Sequence, residues 1–397
     1  MKEGWEYKTL GELTISINGL WKGKKEPFVN VGVIRNANFT KDLTLDYSKI
    51  EYLDVELKQY KNRKLQKGDL IVEKSGGSEK QPVGRTVLFN EEGEFSVSNF
   101  TAILRINDRN IIKSEFLYKY LLYIYREGKT KEMQKATTGI HNIIFDKFLA
   151  LSIPVPSLPE QQQIVEYLDA QFKRIDALKA NAEQQLQAAK DLFQSALKDL
   201  LTPKEGWEEK TLGKVCKKTK NIKWTEDSGV YKYVDLSSVS REELRITNSI
   251  EIDYQDAPSR AKQIMATNDI LFATTRPTLR RLCIVTSDFD NEICSTGFCV
   301  LRPNPVIHYN FLFYSLQTDR FYDYLEPLQT GANYPAVTDG VVKSYTFFAP
   351  TSLSEQEQIA NELDDLSAKV KQLQDNYNET ITLCNDLKQS LLKKIFE

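Results

Sequence analysis

The feature that most restricts the fold is an interval, residues 160–201, that contains neither glycine nor proline. Its apolar side chains recur every three or four residues, which places them along one stripe of an α-helix. Pro159 suits the first turn of that helix, because its missing N–H would have no partner there, and Pro203 and Gly206 end the helix. Such a helix would measure about 60 Å. No small domain offers so long a core, so the pattern predicts a helical partner of similar length.

A second interval of this kind, residues 354–397, ends the chain. The two intervals begin with related pentapeptides, EQQQI (160–164) and EQEQI (355–359), and their apolar positions continue to correspond. Small residues in the first stripe, Ala182 and Ala189, favour close packing as a coiled coil. The alternative is two independent surface helices. The predicted contact stripe, or seam, consists of Ile164, Leu168, Ile175, Leu178, Leu363, Leu366, Val370 and Leu373.

The rest of the chain also occurs twice, with its landmarks in the same order. The matching pairs are GWEYKTLGEL (4–13) and GWEEKTLGKV (206–215), LQKGDLIVEKSGG (65–77) and MATNDILFATTRP (265–277), SNFTAILRIN (98–107) and STGFCVLRPN (295–304), and TTGIHN (137–142) and QTGANY (329–334). A period this long is not that of a solenoid. It predicts two homologous globular domains, each followed by a long helix, with boundaries at 1–158, 159–203, 204–353 and 354–397.

Each globular part combines short β-rich runs with a helix, which predicts an α+β protein with two tandem mixed α/β domains. The expected strands are Leu70–Val72, Thr86–Phe89 and Ala102–Ile106 in the first half, and Ile270–Ala273, Leu282–Val285 and Phe298–Leu301 in the second. The expected helices are Ser114–Tyr125 and Asn310–Thr318. Strand order cannot be assigned from these runs.

Composition fits an ordinary cytoplasmic protein. Of the 397 residues 41% are hydrophobic and 27% are charged, and the formal net charge is −2. No apolar run reaches the length of a membrane span, and the N-terminus has no signal-peptide core. An odd number of cysteines, five, without CxxC spacing favours a reduced compartment. Since the net charge is slightly negative, any nucleic-acid binding must come from local patches.

Known catalytic motifs are missing, so we predict no catalytic residue in this chain. GLWKGKK (19–25) lacks the spacing and the Ser or Thr of a phosphate-binding loop, and no GxGxxG follows a strand. With two histidines, a His-rich metal site has little material. Cys294, Cys299 and His308 could hold zinc, but buried free thiols are the favoured interpretation, and we predict no metal site.

The tandem GW-x-x-K-T-L-G starts, the GD/ND strands, the T-G turns and the EQxxI helix starts resemble the specificity subunit of type I restriction-modification systems. The resemblance spans essentially the whole chain. It implies two target-recognition domains separated by two long helices that pack as an antiparallel coiled coil, and an asymmetric bipartite DNA site with one half-site per domain. It also implies that the chain is not itself an enzyme and binds no cofactor. Its partners would be double-stranded DNA, two methyltransferase subunits that use S-adenosylmethionine to methylate adenine N6 and, in the full assembly, restriction subunits that use ATP and Mg²⁺.

Two polar loops follow corresponding strands but differ in sequence: the domain-1 loop (residues 73–86) and the domain-2 loop (residues 273–282). Arg and Lys can recognise guanine, Asn and Gln can recognise adenine, and hydroxyls can bind bases or phosphates. With the two T-G turns, these loops supply the predicted DNA-binding residues: Lys74, Ser75, Ser78, Lys80, Gln81, Arg85, Thr138, His141 and Asn142, then Thr274, Thr275, Arg276, Thr278, Arg280, Arg281, Thr330, Asn333 and Tyr334. Two alternatives remain open: a coiled-coil adaptor that joins two protein-binding domains without DNA, and an enzyme with a divergent site.

Overall fold

A computed structural model describes residues 4–21, 23, 25–137, 139–225 and 229–397. These residues form two compact bodies. The first body contains the described residues up to 183 together with 379–397, and the second contains those from 184 to 378. Each body therefore includes one globular part and a segment of both long helices.

The first body combines short strands with helices of different lengths. Its strands are β1 (Glu6–Thr9), β2 (Thr14–Asn18), β3 (Phe28–Ile34), β4 (Glu51–Glu56), β5 (Leu70–Glu73), β6 (Ser75–Gly77), β7 (Thr86–Leu88), β8 (Phe95–Val97), β9 (Thr101–Ile106), β10 (Gln134–Thr137), β11 (Ile140–Ile143) and β12 (Ser152–Val155). Its helices are α1 (Leu10–Leu13), α2 (Leu57–Lys61), α3 (Ser114–Arg126), α4 (Phe145–Leu149) and the start of α5 (Leu158–Leu200).

Two sheets of the first body lie behind the domain-1 loop. One has the order β2-β9-β5-β7, with antiparallel neighbours, and the other has the order β4-β3-β8, in which β3 and β8 are parallel. Strand β5 is buried throughout, and α3 packs its apolar side chains into the same core. The end of β5 therefore presents the domain-1 loop from a fixed support.

The second body repeats this arrangement. Its strands are β13 (Trp207–Thr211), β14 (Cys216–Lys217), β15 (Lys220–Asn221), β16 (Tyr231–Val234), β17 (Ile250–Ile252), β18 (Ala261–Ile264), β19 (Ile270–Ala273), β20 (Leu282–Ile284), β21 (Ile293–Ser295), β22 (Phe298–Pro303) and β23 (Thr346–Pro350). Its helices are α6 (Leu212–Val215), α7 (Tyr309–Ser315), α8 (Asp319–Leu325), α9 (Asp339–Lys343) and the start of α10 (Leu353–Phe396). The sheet orders are β14-β22-β19-β20 and β15-β18-β21-β16-β17, and β19 presents the domain-2 loop as β5 presents the other.

Within each body, the repeated sequence landmarks form the same side-chain contacts. The indole Nε1 of Trp5 donates to Glu160 at 2.9 Å, and that of Trp207 donates to Glu355 at 3.1 Å, so each GW segment is attached to the start of a long helix. Each strand-leading aspartate accepts two hydrogen bonds from one arginine. Asp69 pairs with Arg105 at 2.9 and 2.7 Å, and Asp269 pairs with Arg302 at the same distances. Buried carboxylates require such partners, which explains why these residues occur twice.

Both long helices are present, and within each body a segment of one packs against a segment of the other. In the first body Leu168 and Leu392 share one core, and Lys388, which is buried, forms an ion pair with Asp176. In the second body Leu197 shares a core with Leu363. Early residues of α5 thus meet late residues of α10, the order expected of antiparallel neighbours. A continuous coiled coil along the full length stays a prediction.

Two of the seam predictions are wrong. Leu178 is 60% exposed and Leu373 is 40% exposed, and the residues that follow them, Lys179 and Gln374, are half-buried instead. Inward positions of α5 alternate steps of three and four residues, so after Ile175 the next inward position is 179 and not 178. The remaining seam residues are buried or half-buried: Ile164, Leu168, Ile175, Leu363, Leu366 and Val370.

Candidate nucleic-acid interface

In the first body, the domain-1 loop and the T-G turn form one small sheet with the order β10-β11-β6. Ser75 lies opposite Asn142, and the Ser75 hydroxyl donates to the Asn142 side chain at 2.5 Å. Gly77 lies opposite His141. Two segments that are distant in sequence therefore build one polar edge, and the structure brings the predicted residues from both of them together.

The side chains of the domain-1 loop differ in accessibility. Ser78, Lys80 and Gln81 are exposed. The half-buried Lys74 donates from Nζ to Asn18 Oδ1 at 2.6 Å, and burial lowers the pKa of its ammonium group. Contacts with a duplex are thus open to the exposed residues first. Thr138 lies outside the described residues.

Arg85 occupies a different position, beneath the loop. It is 9% exposed, and its Nε and Nη2 donate to the two carboxylate oxygens of Glu73 at 2.7 and 2.8 Å. Glu73 is completely buried. Oriented with its carboxamide oxygen toward the guanidinium, Gln81 accepts from Arg85 Nη2 at 2.9 Å. The Glu73–Arg85 pair therefore fixes the base of the loop and holds Gln81. The Nε and Nη2 donors of Arg85 already have partners within the protein.

In the second body the domain-2 loop also meets its T-G turn through the backbone. The Arg276 N–H donates to the carbonyl oxygen of Pro335 at 2.6 Å, and the Val337 N–H donates to that of Thr274 at 3.0 Å. Thr330 and Ala336 form a bridge across the turn. The two polar segments thus lie side by side, as their counterparts do in the first body.

The arginines of the domain-2 loop stack on tyrosines. The Arg276 guanidinium lies 4.7 Å from the ring centre of Tyr334, and its Nη2 donates to the Asn333 carbonyl oxygen at 3.2 Å. Arg280 lies 4.4 Å from the ring centre of Tyr322 and pairs with Asp319 at 2.5 Å. Both arginines are exposed and both have positive φ, so the turn Pro277–Leu279 between them projects their side chains outward.

The other predicted residues of the second body divide between surface and interior. Thr275 and Arg281 are half-buried, and Nε of Arg281 is buried without a hydrogen-bond partner among the described residues. Thr274 is buried, and its hydroxyl donates to the Gly297 carbonyl oxygen at 2.9 Å. Thr274 thus supports the loop from below. The exposed members are Thr278, Thr330, Asn333 and Tyr334.

Comparison with known proteins identifies the class. A family model described as type I restriction modification DNA specificity domain matches residues 2–188 and again residues 204–383. The chain belongs to this family of specificity subunits. The StySPI specificity subunit of Salmonella potsdam is 25% identical to it, over all of this chain and 89% of that subunit.

Solved structures agree on the fold. A chain solved in a study of assembly and conformational transition of the type I restriction-modification system matches with a TM-score of 0.77 at 18% identity, over all of this chain and 98% of that one. The HsdS subunit from Thermoanaerobacter tengcongensis gives a TM-score of 0.53 at 19% identity, over all of this chain and 97% of that one. The two mixed helix and strand domains therefore have the fold of these solved chains.

Sequence reasoning did not find Glu73, whose charge holds Arg85, or the aromatic residue Tyr322 beneath Arg280. Sequence spacing does not reveal either contact. Tyr322 lies on a separate element, α8, and Glu73 is the first residue of the predicted loop, so its burial is not expected from the sequence. Cys294 and Cys299 are buried free thiols, as predicted, and Cys283 is a third buried free thiol. No metal-binding cluster occurs among the residues that the structure describes, and none of their helices is long and apolar enough to cross a membrane.

Proposed function

We propose that this specificity subunit recognises an asymmetric, bipartite DNA site, one half-site with each body, and that it positions methyltransferase subunits on that DNA. The observation that carries the proposal is a repeated scaffold with unlike polar edges. Each body joins a loop to a T-G turn at the same place, yet the exposed side chains are Ser78, Lys80 and Gln81 in one and Arg276, Thr278 and Arg280 in the other.

Side-chain placement separates the proposed contacts into two groups. Exposed cations and amides such as Gln81 and Arg276 can reach base edges or phosphates. Arg85 and Thr274 are buried and bonded within the fold, so they position the loops. Arg276 lies over a tyrosine ring, which restricts its guanidinium before DNA arrives and reduces the entropy lost on binding.

Partner binding is supported by exposed leucines beside the seam. In the first body Leu178 and Leu387 each precede an inward-facing lysine, and they are 60% and 48% exposed. The Asp176–Lys388 pair brings the two leucines to the same level of the helix pair. In antiparallel helices such positions meet along one edge, so the two leucines form an apolar patch, the kind of surface that marks a protein interface.

The second body has the matching pair, Leu192 and Leu373. Along α5, the residues at seven-residue intervals that include Leu178 and Leu192 are uncharged from 164 to 192. The opposite edge of the helix carries Asp169, Asp176 and Glu183 instead. One patch in each body suits two copies of one partner. We propose that these patches bind the methyltransferase subunits, which would hold S-adenosylmethionine, while restriction subunits would use ATP and Mg²⁺. The chain itself would hold no cofactor and catalyse no step.

Substitution in one domain tests the recognition model. In cells that carry the complete complex, Arg276→Ala should alter or weaken methylation at one half-site only, at a cost of roughly 1–3 kcal/mol if the residue recognises a base. Genome-wide mapping of methylated adenines is the readout, with Arg241→Ala, an exposed arginine outside the loop, as control. Equal loss at both half-sites would contradict the model, and the absence of duplex binding in fluorescence anisotropy would favour a protein adaptor.

A further inference from the structure

A cavity of about 530 Å³ opens in the second body at the end of α5. Tyr345 and Phe347, which are buried, and the half-buried Phe348 give it an aromatic wall. The rings of Tyr345 and Phe347 are almost parallel, at 7°. An apolar cavity of this size is typical of a binding site. Its aromatic wall suits a ligand that carries an aromatic ring.

In the first body the corresponding place is filled by the protein's own aromatic side chains. Phe396, at the end of α10, packs its ring against Phe116, Tyr120 and Tyr123. The ring centres lie 5.7, 5.2 and 5.6 Å from that of Phe396. These contacts join the end of one long helix to α3.

Matching hydrogen bonds fix the correspondence between the two bodies at this place. The Lys113 N–H donates to Oε1 of Gln161 at 2.8 Å, and the His308 N–H donates to Oε1 of Gln356 at 2.7 Å. Both donors and both acceptors are 195 residues apart in the chain. The same interval therefore relates α3 to α7 and the end of α10 to the end of α5.

At this interval three aromatic residues of the first body are replaced by smaller residues in the second. All three smaller residues line the cavity. The cavity is therefore the space that aromatic rings occupy in the first body. The replacements are Tyr120 by Ser315, Tyr123 by Thr318 and Phe396 by Leu201.

The hydroxyl groups that these replacements introduce are already bonded within the fold. The Ser315 hydroxyl donates to the Phe311 carbonyl oxygen at 2.9 Å, and the Thr318 hydroxyl donates to the Ser315 carbonyl oxygen at 2.9 Å. Neither hydroxyl needs a partner from a ligand. An aromatic ring can thus enter this space without leaving a polar group unpaired.

The exposed part of the lining favours an anion. Lys198 and Arg320 are exposed, and neither forms an ion pair with another residue that the structure describes. The one acidic residue of the lining, Asp319, is already paired with Arg280. The Arg320 guanidinium lies 5.6 Å from the ring centre of Phe348. An excess of positive charge next to an aromatic cavity suits a ring with a carboxylate beside it.

The first body contains such a pair. Glu397 follows Phe396, and its carboxylate accepts a hydrogen bond from the Tyr123 hydroxyl at 3.0 Å. A ring and a neighbouring carboxylate, both from a polypeptide, therefore occupy in the first body the place that is open in the second.

We propose that the second body binds an aromatic residue next to an acidic residue of a partner polypeptide. The ring enters the cavity, and the carboxylate pairs with Lys198 and Arg320. The source is a polypeptide because the first body receives the same pair from its own chain. Since the first body is filled, each specificity subunit binds one such segment, whereas the leucine patches occur twice.

The experiment uses the full chain and a dye-labelled hexapeptide that has one Phe-Glu pair between glycine and serine residues. Fluorescence anisotropy should show saturable binding with one site per chain. The matched peptide with Leu-Glu should bind roughly three- to tenfold more weakly, because it lacks the aromatic contact. The matched peptide with Phe-Lys should bind at least tenfold more weakly, because its ammonium group meets two cations.

Two kinds of variant locate the site. Leu201→Phe installs the ring that the first body has at this position, so it should fill the cavity and weaken peptide binding at least tenfold without lowering the melting temperature. Leu328→Phe, at an exposed leucine outside the lining, should bind like the parent. Lys198→Gln keeps the cavity and should weaken binding roughly two- to fivefold, the effect of one exposed ion pair. Lys190→Gln, at an exposed position of α5 outside the lining, is its control.

The proposal is overturned if the peptide does not bind saturably, if it occupies two sites per chain, or if Leu201→Phe and Lys198→Gln both bind like the parent. If Leu201→Phe lowers the melting temperature, Lys198→Gln alone decides. Displacement of the peptide by an equal concentration of 3-phenylpropionate would assign the cavity to free aromatic acids and overturn the polypeptide source. The assay contains neither DNA nor methyltransferase subunits, so its failure and the failure of the proposed function are separate results.

Discussion

At the scale of single residues, buried charges support the interface from below. The Glu73–Arg85 pair lies at the end of β5 and has almost no access to solvent. Glu73→Gln would leave the guanidinium buried without a countercharge. We expect the free energy of unfolding of the first body to fall by about 3–5 kcal/mol.

Denaturant unfolding of Glu73→Gln and of a control variant checks this expectation. Glu79→Gln is the control, because it makes the same change at an exposed position of the same loop and should stay within about 0.5 kcal/mol of the parent. Equal stability of the two variants would show that the buried pair contributes nothing specific.

The buried thiols of the second body make its stability depend on alkaline pH. Burial raises the pKa of Cys283 to about 12, and it also raises the pKa values of Cys294 and Cys299. Below about pH 8 the thiols are protonated in both the folded and the unfolded chain, so they do not change the free energy of unfolding there. Between about pH 9 and 12 only the unfolded chain loses the protons, and the free energy of unfolding should fall by roughly 1.4 kcal/mol per pH unit for each thiol.

Cys283→Ala should therefore make the alkaline loss of stability less steep by about one thiol's share. Urea unfolding of the second body at several values between pH 8 and 11 measures the slope. Val285→Ala, in the same core, serves as control, since it should lower stability at every pH and keep the slope of the parent. Identical slopes for Cys283→Ala and the parent would rule out the thiol as the cause.

At the scale of elements, sequence patterns located the two long helices, a shorter helix in each body and several core strands, but not the pairing of the strands. Strand β19 is Ile270–Ala273 as predicted, and α3 ends one residue beyond the prediction. Pairing such as β3 with β8 joins distant segments, and no local pattern specifies it.

The interface shows the same division between local and long-range information. The polar loops and T-G turns could be identified because turn residues and repeats are local signals. Burial of Arg85 could not be foreseen, since its partner Glu73 is drawn inward by the strand that precedes the loop. The prediction of which α5 residues face the seam failed at Leu178, because this apolar residue lies one position before the inward-facing residue.

Because Leu178 is exposed and Ile175 is buried, substitutions at these two positions distinguish an effect on partner binding from an effect on folding. Leu178→Asp places a charge on an exposed edge and should change the melting temperature little, while it should weaken co-elution with the methyltransferase subunit at least tenfold. Ile175→Asp places the charge in the buried seam and should destabilise the first body by several kcal/mol.

Ala177→Asp is the matched control, because it adds the same carboxylate to an exposed position about 100° around the helix from Leu178. It should preserve both melting and co-elution. Normal co-elution of Leu178→Asp would refute the proposed patch. Strong destabilisation of that variant would show that Leu178 belongs to the buried seam.

At the scale of the whole molecule, duplication and divergence together predict the form of the target. Two homologous bodies of one chain can meet the two halves of a duplex in equivalent orientations, because the DNA backbone has two-fold symmetry. Their polar edges differ in every exposed position that we propose for contact, so the half-sites should differ and the complete site should not be a palindrome. The helices α5 and α10 are of nearly equal length, 43 and 44 residues, which suits a spacer of constant length between the half-sites.

A matched insertion in both helices tests whether they set that spacer. Seven residues inserted after Ala182 and seven after Tyr377, positions related by the repeat, add one heptad to each helix and keep the phase of the seam and of the leucine patches. Each helix lengthens by about 10 Å. The preferred spacer should become longer by up to about three base pairs at roughly 3.4 Å each, with both half-sites unchanged. Methylome sequencing before and after the insertion provides the measurement, and an insertion in α5 alone is the control, since it should disrupt the seam and reduce methylation at every site. New half-site bases at an unchanged spacer, or a continuous motif in the parent, would show that the helices do not measure the distance between half-sites.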